Sequence, residues 1–461
     1  MALSKHQISG GSAVVDEAVK RVATSWVSDT RVCVALSGGV DSAVLLHALA
    51  LLRDSHDAPW VLLAHHVHHG LSPNADAWAL HCEAICAALN VPLTIDRVDV
   101  DRKSRMGMEA AARAARYESL DKVDAQIVLL AHHARDQAET VLLQLLRGSG
   151  APGLAAMPGS AGRYKRPLLS VSKTAISAYA TSHALTWVDD ESNADVRFAR
   201  NRLRTQVWPE LIRAFPSAEV TLSRAAAHQA DASVLLEDLA AIDAALCVAM
   251  GALQLDVFNV LSRPRRANVL RYWIAKSGVD ILGTETLREW LQQLASIEPT
   301  QSICLQCADG KTTIRVYRGA AWVVRDVPRW YACAWRGEPE LTLQGDHSVA
   351  GRVSSTQSQD AYSLRLPSDC ENWTLRMREV GDTIELSPRS GRVTVKNIFQ
   401  NAGVPPWQRE RWPILTSGSA IVAIVGIATA DAFTVRGGRQ GVVFEWKPGE
   451  WKPACDGPSH S

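Results

Sequence analysis

From Arg31 to about Val188, short apolar, β-rich runs alternate with longer helical patterns. The predicted strands are RVCVAL, WVLLAHHV, PLTIDRVDV and AQIVLLAH, and the predicted helices are DSAVLLHALALL, NADAWALHCEAICAAL, GMEAAARAARYESLDKV and RDQAETVLLQLL. This alternation is typical of βαβ units, in which helices connect parallel strands. We therefore expect an α/β domain with a doubly wound parallel sheet, to which RPLLSVSKTAISAYATSHALTWVDD adds a helix and a short strand.

The stretch VALSGGVDS joins the first strand to the first helix and has the features of a phosphate-binding loop. Gly38 and Gly39 allow a tight turn and a close approach of the backbone to a ligand. The helix that follows directs its unpaired N–H groups at whatever the loop holds. Asp41 can cap the helix or hold a magnesium ion. The alternative is an ordinary turn with an aspartate cap, and the loop lacks the Gly-Lys-Ser/Thr ending of a P-loop.

A second junction, LLAHHARDQAETVLLQLL, repeats the order of strand, polar break and helix. Ligands of doubly wound sheets lie beyond the carboxyl ends of the strands. If VCVAL and IVLLAH are neighbouring strands, both junctions border one crevice, on which the following residues converge: Ser37, Asp41, His132, His133 and Asp136. Asp136 and Glu139 lie on one face of the second helix. Paired carboxylates suit magnesium binding or deprotonation of an amine, and their alternative role is to complement the helix dipole.

The composition describes a cytosolic protein without a membrane anchor. The chain has 461 residues, 47% hydrophobic, with 49 basic and 48 acidic residues and a net charge of +1. It is therefore not a uniformly basic nucleic-acid coat, and an RNA surface requires local clusters of charge. Nine scattered cysteines do not suggest a disulfide framework. We expect a cytoplasmic location and no membrane partner, because a signal peptide and a long apolar run are both missing.

The composition also predicts several domains. We expect an α/β domain over residues 1–215, a mainly helical domain with a hairpin around CADGKTTIRVYRG over residues 216–345, a small α+β domain over residues 360–450, and a tail over residues 451–461. The last domain carries basic residues with interleaved aromatics, which suits either RNA binding or an ordinary core with a charged surface. These are Arg376, Arg378, Lys396, Trp407, Arg409, Arg411 and Trp412.

Two motifs resemble metal sites but are better explained structurally. HHVHHG contains four histidines, but neighbouring residues of a strand point to opposite faces, so at most two could converge. CLQC at Cys304–Cys307 is a single pair without a second half and is expected to pack inside the hairpin.

Several ordered motifs carry a resemblance to a known family. The SGGVDS loop is similar to that of the PP-loop ATP pyrophosphatase superfamily. Together with HHVHHGLS, EAAARAARY, AHHARDQAETVLLQLLRGSGAPGL, RPLLSVSKTAISAYA and WVDDESNADVRFARNRLR it resembles the bacterial tRNA(Ile)-lysidine synthetases through about residues 31–212. The segment LRMREVGDTIELSPRSGRVTVKNIFQNAGVPPWQRERWPIL resembles, more loosely, that family's C-terminal tRNA-binding domain.

The resemblance implies a Rossmann-like PP-loop fold and a ligase that forms a carbon–nitrogen bond. It also implies ATP binding by the domain over residues 1–215 and substrate binding by the domain over residues 216–345. The expected reaction adenylates C2 of the wobble cytidine in isoleucine tRNA with a CAU anticodon, and free L-lysine then displaces AMP. The lysidine product reads AUA instead of AUG and changes the tRNA identity from methionine to isoleucine. ATP and Mg²⁺ are the expected cofactors, and a homodimer is left open. Because the α-phosphate is attacked, the loop needs no lysine for γ-phosphoryl transfer.

The resemblance also assigns residues. It places ATP on Ser37, Gly38, Gly39, Val40, Asp41 and Ser42. It gives catalytic roles to Asp41, Asp136, Glu139, His133 and Arg113, with Mg²⁺ on Asp41 and Asp136. It assigns contacts with lysine or tRNA to Glu109, Asp189, Asn193, Arg200, Arg202 and Arg204, with Asn201 in the same segment. The alternatives are a helix-surface pair between Glu109 and Arg113, a structural His133 and a solvated charged segment.

The sequence departs from the family pattern at two motifs. His68 and Ser72 stand where the family usually has Asn and Arg, and Arg135 stands where it usually has Asp. Arg135 replaces a carboxylate by a guanidinium beside the expected crevice, which puts a metal role at that position in doubt. Asp136 and Glu139 are retained.

Three other functions remain as alternatives. A PP-loop tRNA thiolase would commonly carry a Cys-x-x-Cys pair in the nucleotide-binding domain, where this chain has Cys33, Cys82 and Cys86 at other spacings. A second alternative, amide synthesis as in GMP or NAD synthetases, would not explain the long helical segment and the basic C-terminal segment. A non-catalytic tRNA-binding relative would not need SGGVDS, Asp136 and Glu139 intact.

Overall fold

A computed structural model of the protein describes residues 5–55, 58, 60–101, 107–188, 195–249, 251–279, 283–298, 303–307, 309–325, 329–345, 349–358, 373–388, 391–435 and 441–448. The chain divides into two compact units, Met1–Leu236 and Glu237–Ser461. Within the described residues, no helix combines the length and apolar character needed to cross a membrane.

The first unit is built on a six-stranded sheet with the strand order β3-β2-β1-β4-β6-β5. The strands are β1 (Arg31–Ala35), β2 (Val61–His68), β3 (Leu93–Arg97), β4 (Ile127–Leu129), β5 (Ser160–Ala161) and β6 (Tyr164–Lys165). All neighbouring pairs are parallel except β5 and β6. The predicted doubly wound parallel sheet is confirmed, and the first and fourth predicted strands are neighbours, which meets the condition for one shared crevice.

Helices pack around this sheet. They are α1 (Lys5–Ala23), α2 (Val40–Ser55), α3 (Ala75–Ala88), α4 (Met108–Asp121), α5 (Ala134–Leu146), α6 (Ala151–Leu154), α7 (Lys173–Ser182), α8 (Ala199–Arg202), a π-helical turn (Leu203–Val207) and α9 (Trp208–Ala214). The core combines apolar residues of β1 and α2 with α1 and α7. Its central strand and helix are almost continuously apolar because both of their faces are covered.

The predicted short strand after α7 is wrong. Residues 185–188 form no strand, because the Val188 N–H donates to the carbonyl oxygen of Gly38 at 3.0 Å. The end of this segment therefore packs on the SGGVDS loop instead of extending the sheet.

Helix α10 (Ala218–Cys247) begins in the first unit and ends in the second. The second unit contains α11 (Leu255–Val260), α12 (Arg263–Lys276), α13 (Thr284–Ser296), α14 (Val395–Asn401) and α15 (Pro406–Arg409). A short 3₁₀ turn covers Asp431–Phe433.

The strands of the second unit are antiparallel. They are β7 (Val248–Ala249), β8 (Ala252–Gln254), β9 (Cys304–Gln306), β10 (Thr312–Tyr317), β11 (Ala320–Arg325), β12 (Cys333–Ala334), β13 (Glu340–Gln344), β14 (Val349–Ser358), β15 (Trp373–Met377), β16 (Thr383–Glu385), β17 (Arg392–Thr394), β18 (Pro413–Ser417), β19 (Ala420–Ile424), β20 (Ala428–Thr429) and β21 (Gly441–Pro448). They form sheets with the orders β7-β8-β11-β10-β9, β12-β15-β18-β19-β20, β13-β14-β21 and β16-β17.

The hairpin predicted around Asp309 and Gly310 is confirmed, because β9 and β10 pair on either side of it. The Asp309 carboxylate accepts hydrogen bonds from the backbone N–H groups of Lys311 and Thr312 at 2.9 and 2.8 Å. This hairpin belongs to a five-stranded sheet, which is present in addition to the helices predicted for this part of the chain.

Much of the basic and aromatic set of the last domain serves the fold of the second unit. Arg409 is 8% exposed and donates to the carbonyl oxygen of Val404 at 2.8 Å and to the Tyr317 hydroxyl at 2.9 Å. Arg376 makes two hydrogen bonds to Asp382, at 2.9 and 2.7 Å. Arg376 and Arg409 therefore contribute to the fold of this part of the chain, whatever their role toward RNA.

Candidate active site

The SGGVDS loop joins β1 to α2 and is held by its own hydroxyl groups. The Ser42 hydroxyl donates to the carbonyl oxygen of Gly39 at 3.0 Å and accepts from the backbone N–H of Ser37 at 3.2 Å. The two serine hydroxyls lie 3.1 Å apart. These bonds fix the loop while the start of α2 presents backbone N–H groups, which is the arrangement that binds anions at helix N-termini.

Gly38 is the strained position of the loop. Its φ is +84°, a backbone conformation that L-residues rarely adopt, and an added Cβ would lie 3.0 Å from Val188 Cγ2 and 3.3 Å from Cys82 Sγ. The loop therefore packs closely on the protein at this point. Gly39 has more space, because its Cβ would meet Ser37 Oγ only at 3.6 Å.

Asp41 lies in the first turn of α2 and has two cationic or polar neighbours. Lys173 Nζ donates to Asp41 Oδ1 at 2.5 Å, and His133 Nε2 lies 3.6 Å from the same oxygen. Burial alone would raise the pKa of Asp41, but its contacts with His133 and Lys173 lower that pKa to about 2. Asp41 is therefore ionised throughout the neutral pH range.

The second junction begins at His133, and its carboxylates are paired with arginines. The backbone N–H of His133 donates to Asp136 Oδ2 at 3.1 Å, which caps α5. Arg204 donates to Asp136 Oδ1 at 3.1 Å and to the two oxygens of Glu139 at 2.9 and 2.8 Å. Arg200 donates to Glu139 Oε2 at 3.2 Å. The two arginines therefore hold the segment around α8 and the π-helical turn against α5.

Burial distinguishes the two carboxylates of α5. The Glu139 side chain is fully buried, whereas that of Asp136 is 15% exposed. Burial raises the pKa of Asp136, but His133, Arg200 and His132 outweigh it, so that pKa is lowered overall. The predicted role of Glu139 as a metal or lysine ligand stays a prediction, and it would require Arg200 or Arg204 to move away.

A cavity of about 710 Å³ lies beyond the carboxyl ends of β1 and β2. Helix α4 and the segment around α8 form its other walls, and its lining includes Ser37, Arg113, His132, Asp136, Arg200, Asn201 and Arg204. The structure thus brings these predicted site residues together. The volume falls in the range of small-molecule pockets.

The histidines of the predicted HHVHHG motif have separate partners. Ser119 donates to Asp96 at 2.6 Å, so its oxygen accepts from His65 Nε2 at 2.9 Å. His66 Nδ1 donates to the carbonyl oxygen of Leu36 at 2.8 Å. Each ring is therefore fixed in orientation, and both line the cavity. Across the part of the chain that the structure describes, no three His, Cys, Asp or Glu side chains form a metal-binding group.

His132 is a strongly perturbed titratable group of the site. Burial lowers its pKa to about 3, and the nearby Arg116, Arg166 and Arg200 act in the same direction while Asp136 opposes them. His132 is therefore neutral at pH 7. Its Nδ1 is buried and has no hydrogen-bond partner in the described structure.

The remaining predicted residues are placed as follows. Arg113 lies over the ring of Tyr117 at 5.0 Å on the cavity wall. Arg202 donates to the carbonyl oxygen of Val196 at 3.3 Å. Asp189 and Asn193 lie outside the described residues, as does the side chain of Glu109.

The structure explains the departures from the family pattern locally. Arg135 points to the start of α10, where its Nε lies 3.5 Å from Glu219 Oε2, and its guanidinium lies 5.5 Å from the centre of the Trp208 ring. It therefore adds no charge to the cavity lining. His68 Nε2 lies 3.2 Å from Asp76, and the Ser72 hydroxyl accepts from the backbone N–H of Asn74 at 3.0 Å, before α3.

Sequence reasoning missed Lys173 and Glu219. The side chains of both are paired with residues of the site, yet they belong to α7 and α10, far from either motif. The signal for Lys173 was its position at the start of a helix in SVSKTA, directly after a buried turn. Only the tertiary contact of α7 with α2 turns that position into a site residue.

The fold and this loop define the class to which the chain belongs, that of PP-loop proteins. A family model described as a PP-loop domain matches residues 12–211. A model described as the TilS substrate binding domain matches residues 253–322, and one described as the TilS substrate C-terminal domain matches residues 373–446.

Curated relatives narrow this class to one family. The tRNA(Ile)-lysidine synthase of Alkalilimnicola ehrlichii is 40% identical over 90% of this chain and 94% of its own length. Those of Azoarcus sp. and Salmonella paratyphi A are 39% and 34% identical, over 91% and 92% of this chain and 92% and 98% of their own lengths. The chain belongs to the tRNA(Ile)-lysidine synthase family, which confirms the predicted resemblance.

Among solved structures, the U34-tRNA thiolase NcsA of Methanococcus maripaludis aligns at a TM-score of 0.40 with 15% identity, over 49% of this chain and 80% of that chain. A likeness of this size supports no inference about function.

Proposed function

We propose that this protein ligates free L-lysine to C2 of the wobble cytidine of isoleucine tRNA with a CAU anticodon, using ATP and releasing AMP and pyrophosphate. The observation that carries the proposal is the arrangement around Asp41. The SGGVDS loop, the carboxylate of Asp136 and the cavity wall meet at the carboxyl ends of two neighbouring parallel strands. Family membership supplies the substrate class.

The geometry supports a division of roles. The loop Ser37–Ser42 binds the pyrophosphate end of ATP through backbone N–H groups and hydroxyls. The cavity takes the nucleobases, with Arg113 near the developing charge. The C2 oxygen of cytidine bonds to the α-phosphorus and becomes a leaving group, and the lysine amine then displaces AMP. Asp136, the more accessible α5 carboxylate, takes a proton from that amine in this proposal, which its exposure of 15% supports.

Mg²⁺ fits this site on the chemistry of its donors. Oxygens of Asp41 and Asp136 lie 3.6 and 3.4 Å from the same His133 nitrogen, so the two carboxylates border one small space. Mg²⁺ is typically held by one or two carboxylates together with substrate phosphates. Asp41 and Asp136 would hold the ion, which neutralises phosphate charge when bound.

The arginines suggest how the segment around α8 contributes. Arg200 and Arg204 neutralise Glu139. Their ion pairs hold the segment around α8, which forms one wall of the cavity, against α5. Arg202 is exposed, and we propose that it contacts the tRNA backbone, as phosphate contacts dominate protein–RNA affinity. Asp189, Asn193 and Glu109 stay predicted lysine or tRNA contacts, and the predicted domain boundaries likewise stay predictions.

The properties of the cysteines oppose the thiolase alternative. Cys33, Cys82 and Cys86 are buried, and burial raises their thiol pKa values to about 12, 12 and 11. A thiol of this kind is a poor nucleophile at neutral pH, because the thiolate is the reactive form.

The test is an incubation of the full chain with labelled lysine, ATP and unmodified isoleucine tRNA bearing CAU. We expect ATP-dependent transfer of lysine to this tRNA and none to methionine tRNA with the same anticodon. Asp54→Asn is a matched control for Asp41→Asn, since Asp54 lies near the far end of α2 and pairs with Arg53. Incorporation of sulfur, or the absence of ATP-dependent labelling, would refute the proposal.

A further inference from the structure

Lys173 supplies a cation to a loop that has none of its own. The loop Ser37–Ser42 contains no lysine or arginine, and Lys173 reaches it from the first residue of α7. Its ammonium donates to Asp41 Oδ1 at 2.5 Å. Neither sequence motif that defines the site contains this residue.

The backbone of Lys173 is fixed although its side chain is not fully buried. The Lys173 N–H donates to Glu219 Oε1 at 2.9 Å, and Glu219 is 8% exposed. Ser172 caps the same helix by accepting from the Ala175 N–H at 3.2 Å. The side chain of Lys173 is 25% exposed. A fixed base with a flexible four-carbon arm allows the ammonium to change partners over a few ångströms.

The pair with Asp41 is suited to such an exchange. It is a single contact between side chains that are 25% and 31% exposed, so water reaches both groups and the ammonium can leave the carboxylate without a large rearrangement. His133 Nε2 lies 3.6 Å from Asp41 Oδ1, so Asp41 keeps a polar neighbour when the Lys173 ammonium moves away. A phosphate chain on the loop would bring more negative charge within reach of the ammonium than one carboxylate does.

We propose that Lys173 binds the pyrophosphate that leaves ATP, and that Asp41 holds its ammonium when no phosphate is present. The inference rests on the proposed function. In the adenylation step the cytidine C2 oxygen forms a bond to the α-phosphorus, and the bond from the α-phosphorus to the bridging oxygen breaks. That oxygen leaves with the electron pair on the β-phosphate. Lys173 donates hydrogen bonds to the departing group and transfers no proton.

A purely structural role for Lys173 predicts a different pattern of binding. A lysine that only tethers α7 to α2 would, once removed, weaken all ligands alike or lower thermal stability. A lysine that contacts the leaving group affects pyrophosphate and ATP but leaves AMP unchanged, because AMP lacks the β- and γ-phosphates.

The test compares equilibrium binding of inorganic pyrophosphate and AMP to the full chain by titration calorimetry without divalent cations. We expect Lys173→Met to weaken pyrophosphate binding by about 10-fold or more, as loss of a charge-assisted hydrogen bond does, and to leave AMP binding within about 2-fold. Lys173→Arg should keep most of the affinity, because it keeps the charge. Lys122→Met is the matched control, since Lys122 forms an exposed pair with Glu118 on α4.

Asp41→Asn provides an independent measurement. It removes both the competitor for the ammonium and a negative charge beside the phosphates, so pyrophosphate should bind more tightly than to the wild type, and the gain should be smaller when Lys173→Met is already present. Unchanged pyrophosphate affinity in Lys173→Met, an equal loss for AMP, or a gain of the same size with and without Lys173→Met would each overturn the inference. A wild type that binds neither ATP nor pyrophosphate would instead contradict the proposed function itself.

Discussion

The two strand-to-helix junctions of the site have the same layout but different chemistry. The first, between β1 and α2, is built from glycines and serines that bond to one another. The second, between β4 and α5, is built from carboxylates paired with Arg200 and Arg204. The strands that precede them are neighbours in the sheet, so the two junctions lie side by side.

The difference shows that the local motif does not determine what a junction can bind. Small residues leave the first junction open to an anion. In the second, cations from a segment more than 60 residues away neutralise Glu139 and leave Asp136 as the more accessible carboxylate. Distant segments therefore decide which of the motif residues face a ligand.

The largest expected effect comes from removing the buried charge of the second junction. Glu139→Gln leaves Arg200 without its carboxylate partner and Arg204 with Asp136 alone, and breaking a buried ion pair costs about 3 kcal/mol or more. We place the loss near that lower figure, because the two arginines are 28% and 33% exposed. Urea unfolding of the full chain measures it.

Glu118→Gln is the control for this change. Glu118 pairs with Lys122 one helical turn away, and both are 67% exposed. Such a solvent-exposed pair contributes little to stability, so this variant should unfold close to the wild-type urea concentration. Equal losses in the two variants would show that the arginine cluster does not hold the second junction together.

Acid should weaken the second junction next. The pKa of His132 is about 3 in the folded protein and near 6.5 when unfolded, so the unfolded chain binds more protons between these values. The free energy of unfolding should therefore fall as the pH decreases from 6.5, by about 1.4 kcal/mol per pH unit for each such histidine. His65 and His66 shift in the same direction because they are buried.

Urea midpoints of the wild type and of His132→Gln between pH 4.5 and 7 test this expectation. Asp41 remains ionised in this range because its pKa is about 2, so it adds nothing to the slope. The free energy of unfolding of His132→Gln should depend less steeply on pH, because the contribution of one histidine is removed. An identical slope in both proteins would contradict the assignment of a neutral His132.

The first junction should be sensitive to backbone shape instead of charge. Gly38→Ala must adopt a left-handed conformation, which costs about 1–2 kcal/mol, and its methyl group presses on Val188. Gly39→Ala meets only ordinary contacts and should cost less. Thermal unfolding measures the stability of the two variants. A larger loss of stability in Gly39→Ala than in Gly38→Ala would show that Gly38 is not the strained position of the loop.

The smallest effect is expected at Arg135, beside the second junction. Arg135→Gln removes the contacts with Glu219 and the Trp208 ring and should cost about 1 kcal/mol. Arg135→Asp, which restores the usual family residue, should cost more because it places a second carboxylate near Glu219. If Arg135→Asp were as stable as Arg135→Gln or more stable, this explanation for the arginine at position 135, where the family usually has Asp, would be wrong.

Much of the first unit could be predicted from the sequence because its strands are apolar runs separated by helical patterns. The parallel order and the neighbouring positions of β1 and β4 follow from that alternation. The short strand expected after α7 does not form, because the Val188 N–H donates a hydrogen bond to Gly38. This is a tertiary contact that a local sequence pattern does not reveal.

The candidate site was predictable only in part, for the same reason. Asp41 and Asp136 stand in recognisable motifs, so their convergence followed from the topology. Lys173 and Glu219 occupy helix starts with no distinctive spacing, and Arg200 and Arg204 read equally well as a solvated RNA-binding surface. Their actual partners depend on how α7, α8 and α10 pack.

The most direct test of the account is the release of pyrophosphate by Asp41→Asn and Asp54→Asn in the presence of ATP, lysine and unmodified isoleucine tRNA. If the two junctions form one adenylating site, the wild type and Asp54→Asn should release one pyrophosphate for each lysine joined to tRNA. Asp41→Asn should release none, although circular dichroism should show it to be folded under the conditions of the assay. Wild-type turnover by Asp41→Asn would contradict the central claim.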